Sequence, residues 1–229
     1  MGILFFPAVA LFAGTRADLD QKLAAGEIIV SLKEMPGKSR KCAQMVGVID
    51  APPEIVWQVI SDVNNYQNFM PRTLNNMAVA PEKIPAILHR QAPRAEEVEQ
   101  LLGPTPPDPD LYRIPGGTYT VYIYSSLEFP WPCNNRWCIV KALRNETQAA
   151  RHVYRTSWSL VTGNLEENSG GWILEPFGSD KTKAVYQLCT DPGGYIPKFL
   201  VNQGARITMP QIIKAVRKQA AYLLRQRQP

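Results

Sequence analysis

A chain of 229 residues with 45% hydrophobic residues lies within the range of a single domain and can bury a substantial core. Its 25 Lys and Arg against 20 Asp and Glu leave a net charge of only +5, too mild to call for nucleic acid. The 20 prolines and 15 glycines gather into punctuating clusters, which suits many short strands and turns better than a helical bundle.

The apolar run Ile3 to Ala13, followed by small residues around Thr15 and Ala17, is similar to the core of a secretory signal cleaved after Ala17. It is too short to span a membrane, and no Lys or Arg precedes Arg16, where a signal would carry positive charge. The expectation is therefore a leader at 1–17 and a mature domain at 18–229, exported to a periplasmic or extracellular space. A misplaced start and a cytoplasmic protein are the alternative. Four cysteines, Cys42, Cys133, Cys138 and Cys189, make the even count that disulfides require. Their spacing and the presence of only two histidines, His89 and His152, argue against zinc, so no metal or other cofactor is expected.

In chain order, Asp18 to Gly26 reads as a short helix, and Glu27 to Glu34 and Lys41 to Asp50 read as strands. Pro53 then opens a helix on which Ile55, Val56, Val59, Ile60 and Val63 recur at helical spacing beside Trp57. Asn64 to Arg72 ends it, and Thr73 to Val79 reads as the next strand. Residues 80–117 form a proline-rich insertion with one short helix, Arg94 to Leu102, and too little apolar surface to fold alone. Strands follow at 118–129, 136–143, 151–161, 170–178 and 181–190, broken by polar turns that include one around Asn145. Short turns between successive strands imply an antiparallel meander. The remainder is a long helix with Phe199, Asn202, Arg206, Met209, Ile213, Val216 and Ala220 near one face, and Pro210 is expected to kink it. Its end carries Lys214, Arg217, Lys218, Arg225 and Arg227 without an acid. These cations either complement the helix dipole or attract an anionic membrane surface.

Three stretches resemble the START and polyketide-cyclase-like superfamily, which includes the birch-pollen allergen group. VGVIDAPPEIVWQVISDVNNYQNFMP is similar to its opening strand, apolar helix and "D...y..fmP" exit. EFPWPCNNRWCIVKALR resembles the "PfP..nRd.v" hairpin, and GGWILEPFGSDKTKAVYQLCTDPGGYIPKFLVNQGARITMPQIIKAVRK resembles the START ending. Two features depart from the pattern: Trp137 replaces the acid that usually follows the hairpin arginine, and the insertion has no counterpart.

The resemblance implies an α+β helix-grip fold, a curved antiparallel sheet wrapped around the C-terminal helix, with an internal cavity for a lipid or other apolar molecule. It implies binding and transfer as the function. A cyclase or aromatase working in the same cavity, and a non-carrying interaction module, are the alternatives. By strand parity, Tyr122 and Tyr124, and His152, Tyr154 and Trp158, are the candidate wall residues. Arg72, Asn202 and Arg206 are candidates near the ligand, the arginines for an anionic head group. Catalysis would rest on His152 with Glu128 or Glu175, and no nucleophile or metal motif accompanies it. In this fold the first strand lies beside the last, which implies that Cys42 and Cys189 face each other. Cys133 and Cys138 flank the turn NNRW and are the second expected bridge. Four buried free thiols are the rival reading.

Overall fold

The computed structural model describes residues 15–33, 42–91, 93–129, 134–194 and 198–227, with side chains of the last segment described from Ile207 on. Among the described residues, eight antiparallel strands form one sheet in the order β1-β2-β8-β7-β6-β5-β4-β3. They are β1 (Ile29–Lys33), β2 (Cys42–Ile49), β3 (Thr73–Val79), β4 (Thr118–Leu127), β5 (Arg136–Gln148), β6 (Val153–Gly163), β7 (Glu167–Phe177) and β8 (Lys181–Asp191). From β3 to β8 the chain is a meander, with the insertion between β3 and β4 as its one long excursion. Among the described residues, the α-helices outside the insertion are α1 (Arg16–Ala24), α2 (Pro53–Ser61) and, at the C-terminal end, α5 (Lys198–Gln226).

One face of the sheet, here the inner face, is covered by α2 and α5. Residues directly opposite in neighbouring strands share a face, so the register assigns it. Ala43, Met45 and Ile49 of β2, Ala184 and Tyr186 of β8, Trp172 and Leu174 of β7 and Tyr154 of β6 pack against Met209, Ile213, Val216 and Ala220 of α5. These four α5 residues recur at helical spacing, as the sequence predicts. Gly47 lets the helix close in, since a Cβ there would stand 3.1 Å from the Ile213 side chain. The helix passes through Pro210, where the ring removes one backbone donor. Arg217 fastens it by donating from Nε to the Val48 carbonyl at 2.7 Å.

The α2 helix begins as its sequence dictates. Pro53 fits the first turn, where the backbone N–H lacks an intrahelical partner, Glu54 complements the dipole, and Ile55, Val56, Val59 and Ile60 are buried. The opposite, outer face is covered at its two ends. Leu19 and Leu23 of α1 pack on Val46, Val48 and Val185. At the other end the insertion folds down as α3 (Ile84–Leu88) and α4 (Ala95–Leu102), with Ile84, Ile87, Val98 and Leu102 on Met77, Val79, Tyr124, Trp137 and Ile139.

The first half of the insertion therefore lies on the outer face, away from α2 and α5. Trp137 stacks on Tyr124 with ring centroids 6.3 Å apart and donates from its indole to the Pro93 carbonyl at 3.1 Å. Glu99 of α4 accepts from Tyr124 and Asn75, each at 3.0 Å. The second half wraps the edge strand β3 and reaches the inner face, where Tyr112 joins Val63, Ala78, Tyr119 and Val121.

Cys42 and Cys189 sit opposite each other on β2 and β8 and form a disulfide, with Cα atoms 4.3 Å apart. That spacing matches a directly opposed, non-hydrogen-bonded pair of antiparallel residues. The second expected bridge is not formed at Cys138, which is a buried free thiol accepting from Asn168 Nδ2 at 3.3 Å. Its side chain turns to the inner face beside Val140 and Leu165. Cys133 lies outside the described residues.

Candidate functional site

The inner face divides in two along its strands. Toward β2 it is filled by α2 and α5. Toward β5 its apolar residues are less tightly covered: Ile123, Trp158, Leu160 and Leu188 point inward yet remain partly exposed. Trp158 touches both the α5 cluster and the group around Cys138 and Val140, and Ile123 joins that group to Tyr119 and Val121. Gly170, opposite Trp158, makes room for the indole, because a Cβ there would lie 2.4 Å from the ring. The indole N–H donates to Asn168 Oδ1 at 3.0 Å, and the Asn168 amide then meets the Cys138 sulfur. Burial pushes that thiol up to about 12, so it stays protonated and adds no charge to the wall.

Past this apolar stretch lies a polar cluster under α2. Glu146, 1% exposed, accepts from Trp57 Nε1 and from the Tyr119 hydroxyl, each at 2.8 Å. Arg113 of the insertion closes on it with Nε at 3.0 Å from Oε1 and Nη2 at 3.0 Å from Oε2. Burial alone would raise the Glu146 carboxyl, but the Arg113, Trp57 and Tyr119 donors overcome it and hold it below the usual range. Tyr119 is pushed far up by burial and by that carboxylate, so it remains a donor. Tyr154 stacks on Trp57 at 5.3 Å and completes the wall on the α2 side.

The sequence candidates separate as follows. Tyr154 and Trp158 stand on the inner face, Tyr154 buried and Trp158 partly exposed. Tyr122 and Tyr124 do not: their register partners Lys141 and Ile139 place them on the outer face, beneath the insertion, and Tyr119, Val121 and Ile123 of the alternate parity face inward. His152 is not part of β6 but stands before it in a left-handed turn at the exposed rim, paired with Glu54 of α2. Neither acid proposed for it is its partner, since Glu128 pairs with Arg72 at 3.5 Å and Glu175 sits opposite Lys183. Arg72 is thus an exposed ion-pair residue. The Asn202 and Arg206 side chains lie outside those described.

Arg144 and Glu146 were hidden because the polar run Arg144-Asn145-Glu146-Thr147 reads as a turn. The strand instead continues to Gln148, and the available signal is the alternation Val140, Ala142, Arg144, Glu146.

The architecture is the START-like helix-grip fold, and comparison with known proteins agrees. The structure is similar to a STAR-related lipid transfer protein fragment of Xanthomonas axonopodis (TM-score 0.59, 18% identity, 85% of this chain and 93% of that one). It is similar to human StAR-related lipid transfer protein 5 (0.58, 12% identity, 90% and 97%) and to the Zhui aromatase/cyclase of a Streptomyces species (0.51, 11% identity, 85% and 94%). No family model matches the chain. An uncharacterised protein of Pseudomonas aeruginosa is 33% identical over 89 residues, a stretch that spans 35% of this chain and 44% of that relative.

Proposed function

We propose that the chain binds a lipid or other apolar small molecule against the inner face and carries it between membranes. The observation that carries this reading is the set of inward-pointing apolar residues, Ile123, Trp158, Leu160 and Leu188, left partly exposed between clusters that are otherwise packed. An apolar wall of this kind gains roughly 25 cal/mol for each Å² that a ligand removes from water. Two of the similar structures are of lipid transfer proteins, which supports the reading by fold analogy.

Export accompanies it. The Cys42–Cys189 bridge suits an oxidising compartment, and among the described residues no helix is long and apolar enough to cross a membrane. Cleavage after Ala17 would take the Thr15 cap from α1 but leave Leu19 and Leu23, the residues that seat it. At the other end, Arg217 and Arg227 are engaged with Val48 and Gln58, whereas Lys214, Lys218 and Arg225 are exposed. Those three supply a cationic docking face for an anionic bilayer.

Native mass spectrometry of protein recovered from the cell envelope tests both parts. A bound species that solvent extraction removes is expected, with a mature chain starting at Asp18. An empty protein that also fails to take up an alkyl probe would refute the carrier, and a chain starting at Met1 would refute cleavage. Transfer to anionic vesicles should fall steeply with added salt; transfer insensitive to salt and to lipid charge would remove the docking face.

A further inference from the structure

Arg144 is the largest fully buried side chain among the described residues, at 2% exposure. Its strand position faces inward, flanked by Tyr119 on β4 and Thr156 on β6. One nitrogen, Nη2, donates to the Ser61 carbonyl at the end of α2, at 2.9 Å, and the guanidinium stands 6.0 Å from the Tyr119 ring centre. The other, Nη1, has no hydrogen-bond partner, and neither has the hydroxyl of the same Ser61. Among the described residues no carboxylate pairs with Arg144, because Glu146 is engaged by Arg113. The cluster therefore holds two guanidiniums and one carboxylate, a net positive charge set in a buried wall.

A buried arginine without a counter-charge is expensive, and the partial negative charge of the α2 terminus offsets only part of that. An arginine cannot escape by losing its proton. The two residues joined by the Nη2 bond each carry a buried polar atom without a partner, a guanidinium nitrogen and a hydroxyl, at the end of an apolar wall. From Arg144 the inner side of β5 continues through Ala142 to Val140, about 14 Å at about 3.4 Å per residue, toward Trp158 and Leu160.

We propose that Arg144 Nη1 and Ser61 Oγ receive the acidic head, a carboxylate or a phosphate, of a long-chain apolar ligand whose tail lies along Ala142, Val140 and Trp158. This rests on the carrier reading and specifies its ligand: a single-chain acidic lipid in preference to a neutral one. Arg144 then acts as the recognition group, and Glu146 holds Arg113 away from it.

The test uses the full chain after solvent extraction, titrated with oleate, oleyl alcohol and 1-oleoyl lysophosphatidate, for wild type, Arg144→Met and Ser61→Ala. Wild type should prefer the acids to the alcohol by about tenfold or more, the strength of a charge-assisted hydrogen bond. Arg144→Met should abolish that preference, leave alcohol affinity within about threefold, and melt no lower than wild type, since an uncompensated charge is removed. Ser61→Ala should weaken acid binding alone and covers the case in which the methionine variant fails to fold. The relative affinity for oleate and lysophosphatidate separates a carboxylate from a phosphate site. Equal wild-type affinity for acid and alcohol would overturn the head-group site while leaving the carrier reading standing. An Arg144→Met variant that melts lower and keeps the acid preference would make the arginine a cap for α2. If none of the three probes binds, the carrier reading fails, and this inference fails with it.

Discussion

Reduction of the Cys42–Cys189 bridge is expected to destabilise the fold by about 2–5 kcal/mol, the range for a native disulfide. The bridge links positions 147 residues apart, so it removes far more freedom from the unfolded chain than a local bridge would. The chain-entropy model places its ceiling near 5 kcal/mol for so long a loop. The folded state should change little on reduction, because β2 and β8 stay paired from Ala43 to Ile49 through their own register. Urea unfolding with and without reductant, alongside a Cys42→Ala/Cys189→Ala double variant, reads this as a midpoint lowered by about 1–2 M. Coincident transitions would mean that the bridge does not constrain the unfolded chain.

Glu146→Gln is the substitution expected to cost most outside the bridge, about 2–4 kcal/mol, because buried donors lose a charged acceptor. Glu146 ties four parts of the molecule through one carboxylate: α2 by Trp57, the insertion by Arg113, β4 by Tyr119 and β5 by itself. An amide has one acceptor oxygen and an NH₂ group that would face donors. The pH dependence follows from the depressed carboxyl. The folded state binds its proton less readily than the unfolded chain, so the stabilisation is full above the ordinary carboxylate range. It is lost as pH falls through the lower folded value. Wild type should lose stability on acidification, and Glu146→Gln should lose less over the same interval. Identical acid limbs in chemical denaturation would show that Glu146 is not the group titrating.

Much of the architecture was legible from local pattern. Pro53, Glu54 and the apolar spacing that follows specify α2, and Met209, Ile213, Val216 and Ala220 specify the seated face of α5. The site was less legible, because its partners are remote in sequence. Nothing near Glu146 indicates that Trp57 is its donor across 89 residues, so a charged run reads as a loop. The faces of β4 are not legible in the sequence for a related reason. Aromatic residues at Tyr122 and Tyr124 look like a cavity wall until the insertion is known to fold onto their side of the sheet. Parity tells which residues share a face and leaves open which face a distant segment will cover.

The insertion and Trp137 look like two unrelated departures from the START pattern, yet the structure joins them. Trp137 lies beneath the insertion and holds Pro93, so an acid in its place would be buried under Ile87 and Val98. Without the insertion, the same indole would lie bare on the surface. The two should therefore be inherited together. In an alignment of relatives, chains with the excursion between these strands should carry a large aromatic residue at this position, and chains with a short hairpin should carry the acid. Frequent long insertions over an acid would break the link. The coupling also bears on engineering, since trimming residues 80–117 from this chain requires a polar replacement for Trp137 in the same step.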